Sequence, residues 1–79
     1  MQETAAISAL PDPALASRVA QEAEALPEAL RLTLIMHDVE GYTHGEIAAV
    51  LNVPEGTCRA RLSEARARLR RALSAFEES

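Results

Sequence analysis

The stretch "THGEIAAVLNVPEGT", residues 43–57, places tight limits on how this chain can fold. Thr43 and Glu46 have S/T-x-x-E spacing directly before an apolar run, the capping box that opens a helix by satisfying two of its otherwise unpaired N–H groups. "NVPEG" then breaks that helix. Asn52 tolerates the left-handed conformation that ends a helix, and Pro54 suits the first turn of the next. The spacing predicts a short helix over about 43–51, with Ile47, Val50 and Leu51 as its core face. A longer helix is expected over about 54–74, after a turn of three or four residues.

Upstream, Asp12 followed by Pro13 reads as an N-cap and first helical position, and Leu15, Val19, Ala23 and Leu26 recur at helical spacing over about 13–25. "LPEALRLTLIMHDV" restarts the chain as a helix over about 27–39, with Leu30, Leu34 and Ile35 on its apolar face and Gly41 as its stop. Cys58, Leu62, Ala65, Leu69 and Leu73 form the stripe of the last helix. The expected fold is all-α: a four-helix domain with a C-terminal helix-turn-helix, over residues 12–76. Residues 1–11 are expected to be a flexible arm or interdomain linker, and 77–79 an acidic tail.

Charge is distributed unevenly among these segments. The 79-residue chain has a net charge of −4, yet residues 1–57 hold Arg18 and Arg31 against nine acids. Residues 58–73, "CRARLSEARARLRRAL", hold six arginines against Glu64 alone, a net of +5. In a helix-turn-helix the second helix lies in the major groove while the first crosses the backbone. The basic segment is that second helix, so charge and topology point together to nucleic acid.

Other classes find less support. The single Cys58 cannot close an internal disulfide, which fits a reducing compartment. It lies on the apolar stripe and neither His37 nor His44 stands at ligand spacing to it, so no metal or cofactor is expected. There is no nucleophile–base pair and no glycine-rich phosphate loop, so an enzyme is not expected. No signal-peptide pattern or membrane-spanning apolar run is present, and a cytoplasmic protein with no membrane partner is expected.

"LPEALR", "DVEGYTHGEIAAVLNVPEGT" and "RARLSEARARLRRAL", in order over about 27–73, resemble region 4 of bacterial sigma factors of the extracytoplasmic-function (ECF) group. The resemblance implies transcription initiation: reading of the −35 element of double-stranded promoter DNA, docking on the β flap of core RNA polymerase, and capture by an anti-sigma factor. The domain would work as a monomer. It also implies a separate promoter-opening region, whose pattern is not found in these 79 residues, so the expectation is either the C-terminal part of a longer sigma factor or a stand-alone relative.

By the resemblance, Arg59, Ala60, Ser63 and Glu64 approach bases or backbone from the front of the recognition helix, and Arg61 and Arg66 neutralise phosphates. Thr43 and Thr57, at two helix starts, are placed to meet phosphate, although capping alone accounts for Thr43. His37 falls where relatives carry a backbone-contacting Arg, and as an uninvolved surface His it would need no further role. Arg70 and Arg71 are read as covering the helix beneath.

Glu64 departs from the arginine that many relatives carry, and three roles are open to it. It can restrain Arg68 and Arg61 at i+4 and i−3, accept from a cytosine amino group, or repel phosphate in a domain that mimics a sigma factor without reading DNA. That last role belongs to an interaction module binding an anti-sigma factor. Within DNA binding, the rival is the effector domain of a response-regulator-type transcription factor.

Overall fold

The computed structural model describes residues 12–78, so the arm expected over 1–11 lies outside the described residues. Four helical segments follow one another: α1 (Pro13–Glu24), α2 (Glu28–Leu34, continued by a π-helical turn over Ile35–Val39), α3 (His44–Leu51) and α4 (Glu55–Glu78).

Asp12 caps α1 through Oδ1, which accepts from the Ala14 N–H at 2.9 Å, and Pro13 takes the position where a missing N–H costs nothing. The α1 chain ends at Ala25, and Leu26 turns inward just before Pro27, 7% exposed. Thr33 is fully buried within α2 and satisfies its hydroxyl by donating to the Ala29 carbonyl at 2.9 Å.

An unbroken α-helix was the expectation for residues 27–39. Instead the last turn widens, with the Glu40 N–H bonding to the Ile35 carbonyl five residues back at 2.9 Å. The wider turn carries His37 and Asp38 round to face α3 and α4, where His37 meets His44 and Asp38 meets Arg66. Gly41, at φ 81°, then takes the left-handed conformation that releases the chain.

The capping box of α3 is fully formed. Thr43 Oγ1 accepts from the Glu46 N–H at 3.1 Å, and Glu46 Oε1 accepts from the Thr43 N–H at 2.9 Å. Asn52 closes the helix in the left-handed region (φ 58°, ψ 49°). The buried face of α3 is Ile47, Ala48 and half-buried Leu51, whereas Val50, expected inside, is 70% exposed. At about 100° per residue, Val50 stands too far round the axis from the centre of that face to reach the core.

α4 is the spine. Its 24 residues span about 36 Å at 1.5 Å each, and it packs against α1, α2 and α3. It runs past the expected end at 74, so Glu77 and Glu78 continue the helix. Two clusters meet along its apolar stripe. Ala23, Leu26, Leu34, Leu62 and Ala65 form one, with Leu30 and Leu69 against it. Ile47, Ala48 and Cys58 form the other, joined by Met36, Leu51 and Val53. The first fixes α4 to the supporting helices and the second fixes it to α3. Together they set which side of α4 remains outside.

Candidate nucleic-acid interface

Taking Leu62 as the inward reference at about 100° per residue, Arg59, Arg66 and Arg70 lie on one flank of α4 and Ser63 just beyond them. Ala60, Arg71 and Glu64 point straight outward, with Thr57 next, and Arg68 and Arg61 lie on the opposite flank. Ala60, Ser63 and Glu64 are exposed, whereas Thr57 and Arg61 are half-buried. The structure therefore gathers Arg59, Ser63 and Arg66 together and sets Arg61 apart from them.

Three of the six arginines are held by acids. Arg59 Nη2 lies 2.6 Å from Glu55 Oε2, one turn back, with both side chains well exposed. Arg68 Nε donates to Glu64 Oε2 at 2.8 Å. That hydrogen bond, aided by the charges of Arg68 and Arg71 and opposed by slight desolvation, holds the Glu64 carboxyl below its ordinary range. Of the two partners expected for Glu64, Arg68 makes the contact, and no ion pair joins Glu64 to Arg61 among the described residues. Exposed pairs of this kind contribute little to stability, about 0.3–0.5 kcal/mol at i,i+4, and their main effect is to fix where the guanidinium sits.

The third pair crosses the fold. Asp38, on the π-turn of α2, takes Arg66 of α4 in a bidentate fork: Nε donates to Oδ2 at 2.9 Å and Nη2 donates to Oδ1. Burial pushes the Asp38 carboxyl up, but hydrogen bonds from Arg66 and His37, together with their charges, outweigh it and hold the pKa below the ordinary 3.8.

His37 Nδ1–H donates to Asp38 Oδ1 at 2.8 Å, and its ring stacks on His44 with centroids 4.5 Å apart and planes inclined by 20°. His44 Nδ1 in turn lies 3.5 Å from Cys58 Sγ, so the row Arg66–Asp38–His37–His44–Cys58 connects three helices. Among the described residues no group of three or more His, Cys, Asp or Glu side chains is arranged to hold a metal ion.

Partial burial, then the charges of His37, Arg59 and Arg66, hold the His44 pKa below the ordinary imidazole value of 6.5, with Glu55 opposing. A base whose pKa is lower when folded binds protons more readily when unfolded, so its contribution falls as pH drops through 6.5. The melting temperature should therefore fall between pH 7.5 and pH 5.5, and His44→Gln should flatten that fall in a thermal scan. An equal slope in both proteins would remove His44 as the cause.

Thr43 and Thr57 are occupied locally. The Thr43 hydroxyl accepts in the capping box, and the Thr57 N–H bonds to the Pro54 carbonyl at 3.0 Å. Asp38, His44 and Arg70 were not singled out from the sequence as interface residues. Glu55 stands four residues before Arg59, a spacing visible in the sequence. Asp38 and Arg66 are 28 residues apart, and only the folded chain brings them together.

The chain forms a capped helix-turn-helix whose second helix is arginine-rich and exposed, and comparison with known proteins assigns it. The family described as "Sigma-70, region 4" matches residues 16–69. The chain belongs to that family. The ECF RNA polymerase sigma-E factors of Escherichia coli strain K12 and Salmonella typhi are each 42% identical over 43 residues, covering 54% of this chain and 22% of theirs. The RNA polymerase sigma-H factor of Pseudomonas aeruginosa is 40% identical over 55 residues, 70% of this chain and 28% of that protein. The matches thus span less than a third of these relatives' length. The sigma region 4 fold places α3 and α4 as the helix-turn-helix, with α1 and α2 bracing it. No helix among the described residues is long and apolar enough to cross a membrane.

Proposed function

We propose that this chain is the −35-element-binding domain of an ECF-type sigma factor, working in the cytoplasm as a monomer. It would place α4 in the major groove of promoter DNA and dock on the β flap of core polymerase, with an anti-sigma factor as its regulator. The observation that carries the reading is the +5 charge of residues 58–73 on the second helix of the motif, with Ala60 and Glu64 outward and Arg59 and Ser63 exposed on its flank. Arg59 is the base-reading candidate, because a guanidinium near the front of the helix can meet a guanine edge with two hydrogen bonds. Arg61, on the other flank, is assigned to phosphate.

The test is selection of a duplex from a random library, followed by fluorescence anisotropy across a salt series. Arg59→Ala and Arg61→Ala should each weaken binding and reduce the log–log salt slope by about 0.9. Arg59→Ala should also broaden the selected sequence. If both variants bind the selected duplex as the parent does, this face of α4 is not the reading surface.

One observation favours a second reading. With Arg59, Arg66 and Arg68 tied to acids, much of the helix's charge is compensated within the chain. A sigma-like module that binds an anti-sigma factor without reading DNA would tolerate that compensation. It predicts that no duplex is enriched by selection, even at low salt.

A further inference from the structure

We propose that the groove between α3 and the flank of α4 is a seat for one phosphodiester group, and that Asp38 is its positioning residue. The groove has a volume of about 300 Å³ and is lined by His44, Arg59, Leu62, Ser63, Arg66 and Arg70. The choice of a DNA backbone phosphate as the source rests on the promoter-binding reading, while the seat itself rests on the geometry of Arg66 and its neighbours.

Arg66 is the centre of the seat. A guanidinium has five N–H donors arranged on two bidentate edges. The Asp38 fork occupies the Nε/Nη2 edge and leaves three N–H groups, two of them side by side on the Nη1/Nη2 edge, for another acceptor. Without Asp38, a side chain that is 45% exposed would sample many rotamers. With Asp38 it is fixed at the groove wall, so less conformational freedom is lost on binding.

The neighbouring groups complete a donor set. Ser63 brings an exposed hydroxyl and Arg70 has no acidic partner among the described residues, while Arg59, held by Glu55, adds charge at the groove and leaves its other donors for a base edge.

Charge decides between anion classes. Arg59, Arg66 and Arg70 bring three positive charges to the groove, and Glu55 and Asp38 return two negative ones. His44, with its lowered pKa, adds none at neutral pH. A net of about one positive charge matches a monoanionic phosphodiester and leaves a phosphate dianion undercompensated. Arg70 is thereby reassigned. The sequence makes it a cover for the helix beneath, whereas its place at the groove makes it a cation of the seat with no acidic partner among the described residues.

The experiment uses the whole chain labelled with 15N, following the arginine Nε–Hε signals during titration with the selected duplex and, separately, with inorganic phosphate. The duplex should shift the Arg66 and Arg70 signals, and Arg70→Ala should lower the salt slope by about 0.9. Asp38→Asn supplies a test of sign. Removing an acid from a DNA-facing groove should tighten duplex binding if only net charge matters. If Asp38 positions Arg66, binding should weaken instead, and Asp38→Glu should recover part of the loss. Amide spectra of each variant establish that it is folded, and Arg70→Ala, at an exposed site, tests the seat without touching the Asp38 fork.

The failures separate cleanly. Duplex binding that still depends on Arg59, with unmoved Arg66 and Arg70 signals and an unchanged slope in Arg70→Ala, overturns the seat and leaves the promoter reading standing. Shifts with inorganic phosphate but no duplex binding support the seat as an anion site and remove the promoter reading. Tighter binding by Asp38→Asn overturns the positioning role.

Discussion

Leu62→Ala should lower the unfolding free energy by about 2–5 kcal/mol, the range for deleting a buried leucine side chain. Leu62 is 3% exposed and lies in the cluster with Ala23, Leu26, Leu34 and Ala65, so its removal opens a void where α1, α2 and α4 meet. The surroundings have little material with which to refill it, because two of its four buried neighbours there are alanines. A domain of this size buries a modest fraction of its surface, and natural domains keep only about 5–15 kcal/mol in hand. The loss is therefore a large part of the total. Urea unfolding followed by circular dichroism measures it, with half-buried Leu69→Ala as the internal comparison. Leu69→Ala should cost distinctly less. If the two variants unfold at the same urea concentration, Leu62 does not hold the inner position given to it here.

Leu62 also faces the groove lined by Arg59, Ser63, Arg66 and Arg70. The same side chain thus anchors the recognition helix and floors the basic pocket. Some loss of DNA binding should accompany its loss of stability, and measurement well below the transition separates the two effects.

The elements were legible in the sequence because local signals specify them. The Thr43/Glu46 box, Asn52, Asp12 and Pro13 each act within a few residues, and each forms the contact or conformation its chemistry favours. The stripe through Cys58, Leu62 and Ala65 was legible for the same reason, since its period is that of the helix. Two things were not. Val50 is apolar and sits in an apolar run, but which arc of a short helix is inward depends on where α4 lies, a tertiary matter. The π-turn at Ile35–Val39 has no local signal of its own, and the partners that it brings to Asp38 and His37 come from residues distant in the sequence. The candidate site divides along the same line. Its charge and helix face were visible in the sequence, whereas the pairing that decides which arginines stay uncommitted was visible only in part, through the i,i+4 acids Glu55 and Glu64.

Glu64→Arg is expected to have the largest effect on nucleic-acid binding. Glu64 is exposed, points outward close to Ala60 and Arg71, and holds Arg68 through its carboxylate at 2.8 Å. The substitution raises the charge of residues 58–73 from +5 to +7 and frees Arg68 as well. Each additional phosphate contact steepens the log–log salt slope by about 0.9, so the gain should be about 0.9–1.8. Non-specific duplexes should gain most, because phosphate contacts carry no sequence information. Arg68→Ala and Glu64→Gln then separate the roles open to the acid. If Glu64 only tethers Arg68, the two variants should leave the selected sequence unchanged. If its carboxylate accepts from a cytosine amino group, Glu64→Gln should shift the preference at one position towards adenine while Arg68→Ala does not. A Glu64→Arg protein whose slope and affinity match the parent's would mean that the outward face of α4 does not meet DNA. The acid would then belong to a surface built for a protein partner.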